Sequence, residues 1–259
     1  MIPYLPGSLR FMPKRMVFST WVDHLPFGYD LVGALRPGVI TELGTQAGLS
    51  YFCMCQSVRE HGLSTRTFAV DTWKGDSHTD PYGTEIYDQV LAHNTEHYAD
   101  FSTLMPMLFS EALPHFADES IDLIHIDGFH TYEAVRGDFE SWYPKVKPGG
   151  ILIFHDIAAR LKDFGAWRFW AELSLTHETF AFKHGFGLGV LRKPGPTPSA
   201  PLFDFLFSKD ERVKERLRAF YVHAAEHQEL ERKMERLDAM KEAIRARRAA
   251  EAAKDSGSA

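Results

Sequence analysis

Cysteine is nearly absent: Cys53 and Cys55 are the two thiols in 259 residues. Two apart in a stretch that reads as helix, their side chains diverge and form no bridge, and no second pair exists to complete a zinc site. The thiol content fits a reducing cytoplasm. Long apolar runs are lacking as well. Met1 to Val17 carries Lys14 and Arg15 but no stretch that would make a signal peptide, and nothing later reaches membrane-spanning length, so a soluble protein is expected. Positive charge is in deficit, with 29 Lys and Arg against 35 Asp and Glu for a formal net charge of -6. Nucleic acid is therefore not an expected partner, because phosphate contacts need clustered cations. The dinucleotide spacing GxGxxG is missing too.

What is present suits one sizeable α/β core with an appendage: 44% of residues are hydrophobic and 25% charged. Short β-rich apolar runs alternate with helical stretches, the strands falling at Val39 to Leu43, Thr67 to Val70, Met105 to Phe109, Ile121 to Ile126 and Ile151 to Phe154. That alternation predicts a doubly wound parallel sheet. A helix over Trp167 to Leu175 follows, then a closing hairpin of Phe180 to Lys183 and Leu188 to Leu191 around Gly185 and Gly187. The expected fold is α/β and Rossmann-like, with seven strands, mostly parallel and the last antiparallel.

Residues 1–37 read as a helical lead-in and 38–193 as the ligand-binding domain. The Pro-rich stretch 194–204 reads as a linker, since Pro194, Pro196, Pro198 and Pro201 suit neither helix interior nor ladder. Residues 205–259 read as a long amphipathic helix. Its apolar residues Val213, Leu217, Phe220, Ala224, Leu230, Met234, Leu237 and Ile244 are spaced mostly three or four apart, with a slip between Ala224 and Leu230. A coiled coil, packing on its own domain, and packing on a partner subunit are all compatible with that pattern. The Ala-rich end, closing in Ser256, Gly257, Ser258 and Ala259, reads as frayed.

The stretch from Val39 to Ser50 is a strand, a glycine loop and a helix start, the geometry of a nucleotide cradle. Gly44 lets backbone approach a ligand, Gly48 permits a tight turn, and the free N–H groups of the next helix can bind a carboxylate. Glu42, before the first glycine, can receive an ammonium group where a pyrophosphate site would carry another glycine. Thr45 and Ser50 complete the cradle. Asp71 ends the next strand, where an acidic side chain accepts ribose hydroxyls, with Thr72 and Trp73 beside it. Ser110 and Glu111, after the third strand, are expected near a purine.

Five stretches carry a family resemblance: Trp21 to Phe27, Glu42 to Ser50, Ala69 to His78, His125 to Tyr132 and Gly149 to Asp156. They resemble the small class I methyltransferases found with bacterial glycan biosynthesis, related to the metal-dependent macrolide-sugar O-methyltransferases and to cephalosporin-hydroxylase-like proteins. The resemblance spans roughly residues 20 to 192 and leaves the tail outside. It implies S-adenosylmethionine as cofactor and O-methylation of a sugar hydroxyl, in a glycan or a glycosylated metabolite. It also implies that Asp127 and Asp156 are metal ligands and that His130 stands at the position of a catalytic His. His155 falls where relatives often carry a further acidic ligand.

The residues alone point the same way. Asp127 and Asp156 fall at the carboxyl ends of strands four and five, where open α/β sheets bind ligands, and together could hold one hard divalent ion such as Mg²⁺. The ion would lower the pKa of an acceptor hydroxyl, and Asp127 counts with His130 in the catalytic pair. His130, three residues after Asp127, is suited by its near-neutral intrinsic pKa to act as base; the lesser alternative is that it caps the helix near Thr131, a job for which Thr131 and Glu133 are also available. Asp76 and His78 could wall the acceptor side. His93 and His97 have helical i, i+4 spacing without an evident third ligand. Trp73, Trp142, Trp167 and Trp170 could stack on sugar faces or fill core. A nicotinamide-dependent oxidoreductase on the same fold and a non-catalytic cofactor- or glycan-binding module are the other readings. In the last, the tail docks a glycosyltransferase; in the leading one it joins a homo-oligomer or such a partner.

Overall fold

The computed structural model describes residues 6–75, 83–196 and 198–256. Asp76, His78 and the end from Gly257 to Ala259, all named above, lie outside the described residues. Seven strands form one sheet: β1 (Val39–Leu43), β2 (Arg66–Asp71), β3 (Ser102–Pro106), β4 (Ile121–Ile126), β5 (Val146–His155), β6 (Glu178–Phe182) and β7 (Leu188–Arg192). Their order is β3-β2-β1-β4-β5-β7-β6. All neighbouring pairs are parallel except β7, which runs antiparallel to both β5 and β6.

Every residue of β1 is buried, because helices cover both faces of the sheet and a central parallel strand has no wet side. One face carries α1 (Leu25–Leu35) and α2 (Leu49–Glu60); the other carries α4 (Phe109–Ala112), α5 (Tyr132–Trp142) and α6 (Ala166–Thr176), while α3 (Thr84–His97) follows β2. The strand order reverses between β1 and β4. Loops leaving their carboxyl ends diverge there and open a crevice, the usual ligand position in such sheets.

The third strand ends three residues earlier than expected. Pro106 closes the ladder, Leu108 turns extended to begin a helix, and Phe109 opens α4. Inside the stretch 194–204 expected as linker, Pro201 opens α7 (Pro201–Leu206), because proline is tolerated at a first helical position, and α7 buries Leu202, Phe203 and Leu206 in the same core as α1. The tail helix α8 (Glu211–Ser256) packs there through Leu217 and Tyr221, and Ala225 is buried as well. The Tyr221 hydroxyl donates to Asp30 at 3.1 Å and the Gln228 amide to the Phe11 carbonyl at 2.8 Å. The Arg232 guanidinium makes the last described contact, donating to Met16 Sδ at 2.8 Å, while Leu230, Met234, Leu237 and Ile244 are exposed. The slip in spacing after Ala224 marks this change of face. Among the described residues, no helix is long and apolar enough to cross a membrane.

Candidate active site

A cleft of about 750 Å³ opens at the switch between β1 and β4, within the range of small-ligand sites. The glycine loop forms one wall. Gly44 has φ +90°, and a Cβ there would lie 2.1 Å from the Asp127 carbonyl oxygen, so this position is glycine because the β4 loop passes against it. Gly48, also left-handed, precedes α2, and a Cβ would meet the Phe52 ring at 2.6 Å.

Between the glycines, Gln46 is pinned from two sides. Its N–H donates to Asp71 Oδ2 at 2.8 Å, and its carbonyl accepts the Trp73 indole N–H at 2.8 Å. The other Asp71 oxygen accepts the Trp73 backbone N–H at 2.7 Å. Asp71 and Thr72 line the cleft, as does Gln46. Trp73 is buried, clamping the loop rather than lining the cleft, and Arg15 donates to the Ala47 carbonyl at 2.7 Å from outside.

Other residues expected at the cofactor stand apart. Glu42 is fully buried below the loop and absent from the cleft lining; His125 Nδ1 lies 2.7 Å from its Oε2. Thr45 and Ser50 are likewise buried. Ser110 lines the cleft beside Leu108 and Phe109, whereas Glu111 turns back to accept the Leu108 N–H at 2.9 Å, capping α4. His93 and His97 meet ring to ring on α3 at 4.6 Å. Trp142 and Trp170 are core, and the Trp167 indole donates to the Phe164 carbonyl.

The cleft's other wall gathers Asp127, His130, His155 and Asp156. Oxygen or nitrogen atoms of Asp127, His130 and Asp156 all lie within 4.8 Å of one another. His130 Nδ1 is 3.2 Å from Asp156 Oδ2, and its ring rests against Phe164, with centroids 4.6 Å apart. Capping of α5 falls to Thr131, whose hydroxyl accepts the Ala134 N–H at 3.3 Å, so the His130 ring is turned to the cleft. Asp156 adopts a left-handed φ of 58°, a strained conformation that persists where surrounding contacts impose it.

His155 sits between the carboxylates. Its Nε2 donates to the Gly185 carbonyl at 3.0 Å, while Nδ1 lies 3.4 Å from Asp127 Oδ1 and 3.5 Å from Asp156 Oδ2. Burial disfavours its imidazolium, but Asp127 and Asp156 outweigh burial and raise its pKa. Burial likewise pushes the Asp127 carboxyl up, and His155, helped by His125 and His130, more than offsets this and holds it below the usual carboxylate range. Asp156 Oδ1 is buried without a hydrogen-bond partner among the described residues.

The sequence reading did not select Asp138. It lines the cleft from α5, and burial raises its carboxyl to about 7. A signal was available, since Asp138 shares a helical face with buried Val135, Phe139 and Trp142, where a carboxylate is out of place. The rim is apolar: Phe18 is 98% exposed, and Phe186, Leu161 and Leu108 join it. Isolated aromatics in loops give no periodic pattern by which to find them.

Residues 41–157 match the family model described as a methyltransferase domain. An uncharacterized protein of Sinorhizobium fredii, y4gI, is 50% identical over 173 residues, 67% of this chain and 19% of its own length. The Streptomyces olivaceus 8-demethyl-8-(2,3-dimethoxy-alpha-L-rhamnosyl)-tetracenomycin-C 4'-O-methyltransferase is 28% identical over 163 residues, 55% of this chain and 62% of that protein. The chain thus spans less than two thirds of either curated relative. Among solved structures, an O-methyltransferase from Bacillus cereus in complex with SAH superposes with a TM-score of 0.50, at 17% identity, covering 74% of this chain and 93% of that one. The fold shared with that structure is the seven-stranded, Rossmann-like sheet.

Proposed function

We propose that this chain transfers the methyl group of S-adenosylmethionine to a hydroxyl oxygen, and that the acceptor hydroxyl belongs to a sugar. The observation that carries this reading is one cleft holding both the Gln46–Asp71 corner of the glycine loop and the Asp127–His130–Asp156 cluster. Asp71 stands where ribose hydroxyls would be accepted, Leu108 and Phe109 offer apolar faces for a purine, and Gly44 and Gln46 supply the loop backbone between. The cofactor would bring an already activated methyl on a sulfonium. The protein's part is then chiefly to align donor and acceptor.

His130 is the proposed base. With Nδ1–H donating to Asp156, the ring presents unprotonated Nε2 to the acceptor hydroxyl. Asp127, His155 and Asp156 are the proposed holders of a divalent cation, and Asp156 Oδ1, buried without a hydrogen-bond partner among the described residues, fits that use. Such an ion would lower the pKa of the hydroxyl whose proton His130 takes.

A sugar acceptor is supported by the Streptomyces relative, named for methylating O-4' of a rhamnosyl group on tetracenomycin C. The apolar rim of Phe18, Leu161 and Phe186 suits an apolar group attached to that sugar. The narrower kinship with glycan-associated enzymes belongs to this reading. So does a second copy or a glycosyltransferase docked on the exposed face of α8. No observation favours a nicotinamide-dependent or a non-catalytic role. The test is calorimetric titration with S-adenosylhomocysteine, then transfer of labelled methyl to a panel of glycosides. Micromolar binding with label on a sugar oxygen is expected; absence of binding removes the proposal.

A further inference from the structure

Of the titratable side chains that line the cleft, Asp71, Asp127, His130, His155 and Asp156 have parts in the proposed reaction and Asp138 has none. Its place is set by Gly128. A Cβ there would lie 2.5 Å from the Phe109 ring and 3.3 Å from Asp138 Oδ2, so ring and carboxyl converge on one spot. Gly128 in turn passes against the first glycine of the loop, where a Cβ on Gly44 would lie 3.0 Å from its Cα. Asp138 thus stands beside Phe109, the flat apolar surface offered to a purine, at the end of the cleft that the glycine loop borders.

Nothing charged answers it. Val135, Phe139 and Trp142 on its own helix are buried, and Glu133 is exposed. Charged groups on the surrounding elements are engaged elsewhere. Glu111 of α4 accepts the Leu108 N–H, Arg136 of α5 donates to Glu140 at 2.7 Å, and on α6 Glu172 accepts the Tyr132 hydroxyl while Arg168 lies over the Tyr132 ring. On the β4 loop, His130 faces Asp156 and Asp127 faces His155. Burial alone accounts for the rise of the Asp138 carboxyl to about 7.

A protonated carboxyl holds a donor and an acceptor side by side, whereas a carboxylate only accepts. Adenine presents the complement, an amino group that donates next to a ring nitrogen that accepts, and an Asn side chain pairs with it through the same two contacts. We propose that Asp138, as the neutral acid, reads the base of the methyl donor: its O–H donates to a ring nitrogen beside the 6-amino group, and its carbonyl oxygen accepts from that group. This rests on S-adenosylmethionine as the donor and adds which residue recognises its purine.

The full chain is titrated calorimetrically with S-adenosylhomocysteine at pH 6 and pH 8. At pH 8 about a tenth of carboxyls with a pKa of about 7 keep the proton. The wild type should therefore bind about tenfold more weakly there than at pH 6, measured against the same ratio for Asp138→Asn, which cancels other titrating groups. Asparagine carries donor and acceptor at every pH, so Asp138→Asn should match the wild type at pH 6, while Asp138→Leu should lose about tenfold or more. An S-adenosylhomocysteine analogue with hydrogen in place of the 6-amino group should bind the wild type about fivefold or more weakly, and should lose nothing on Asp138→Leu. Equal binding of the two ligands by the wild type overturns the proposal without any variant, so an Asp138→Leu chain that fails to fold leaves the test intact. A pH ratio shared by the wild type and Asp138→Asn, or full affinity in Asp138→Leu, overturns it as well while leaving the methyl donor in place. A wild type that binds no S-adenosylhomocysteine removes the donor itself and this reading with it.

Discussion

The indole N–H of Trp21 donates to Nε2 of His125 at 3.2 Å. An indole has no acceptor, so Nε2 carries the lone pair and the proton sits on Nδ1, which donates to Glu42 at 2.7 Å. The chain of bonds ties the lead-in to β4 and β4 to β1 directly beneath the glycine loop. Trp21→Phe keeps an aromatic ring but removes the donor and some volume, and should lower stability by about 2–4 kcal/mol. A urea midpoint indistinguishable from the wild type would contradict the arrangement.

Gly44→Ala places a Cβ 2.1 Å from the Asp127 carbonyl, at a φ of +90° that alanine resists. Neither backbone can give way without moving Asp127. We expect a stability loss of about 3 kcal/mol or more, together with a weakened affinity for S-adenosylhomocysteine. A variant that melts with the wild type and binds equally well would show that the loops are not in this contact.

Much of this was legible in the sequence where a strand is a continuous apolar run with a clear end. Val39–Leu43 and Ile121–Ile126 have the bounds their patterns predict. Met105 to Phe109 was displaced because its apolar residues continue across Pro106 into a helix start, and periodicity cannot distinguish the two. Asp127, His130 and Asp156 were readable because strand-end position alone brings them together. Glu42 and Glu111 were assigned to ligand by residue type, yet their partners are His125, distant in sequence, and the Leu108 N–H, a local cap. Asp138 was missed because a carboxyl two turns into a helix looks solvated until the β4 loop covers it.

The two thiols should be inert in the folded protein. Both are buried, the Cys53 thiol donating to the Leu25 carbonyl at 3.3 Å, and burial raises both pKa values, that of Cys55 to about 12. The reactive thiolate is thus suppressed on top of exclusion from solvent. Labelling with a disulfide reagent should proceed only as fast as the chain unfolds. Stoichiometric labelling of either cysteine in the native protein at pH 8 would refute this.

Asp138 gives the protein a pH-dependent cost at the cleft. Burial raises its folded carboxyl to about 7, while the unfolded chain releases the same proton near pH 4, roughly the free Asp value. Between these values the folded state holds more protons than the unfolded, so this group's contribution falls as pH rises from about 4 to about 7 and is flat above. Asparagine carries no proton to lose. Comparing Asp138→Asn with the wild type cancels the other titrating groups, and the variant's relative stability should climb through that window. Allowing for the solvent that still reaches the cleft, the gain by pH 8 should be on the order of 2 kcal/mol. Chemical denaturation of both chains from pH 4 to pH 8 measures it. A difference that stays constant across the range would mean the carboxyl is ionised throughout and its burial is relieved in solution.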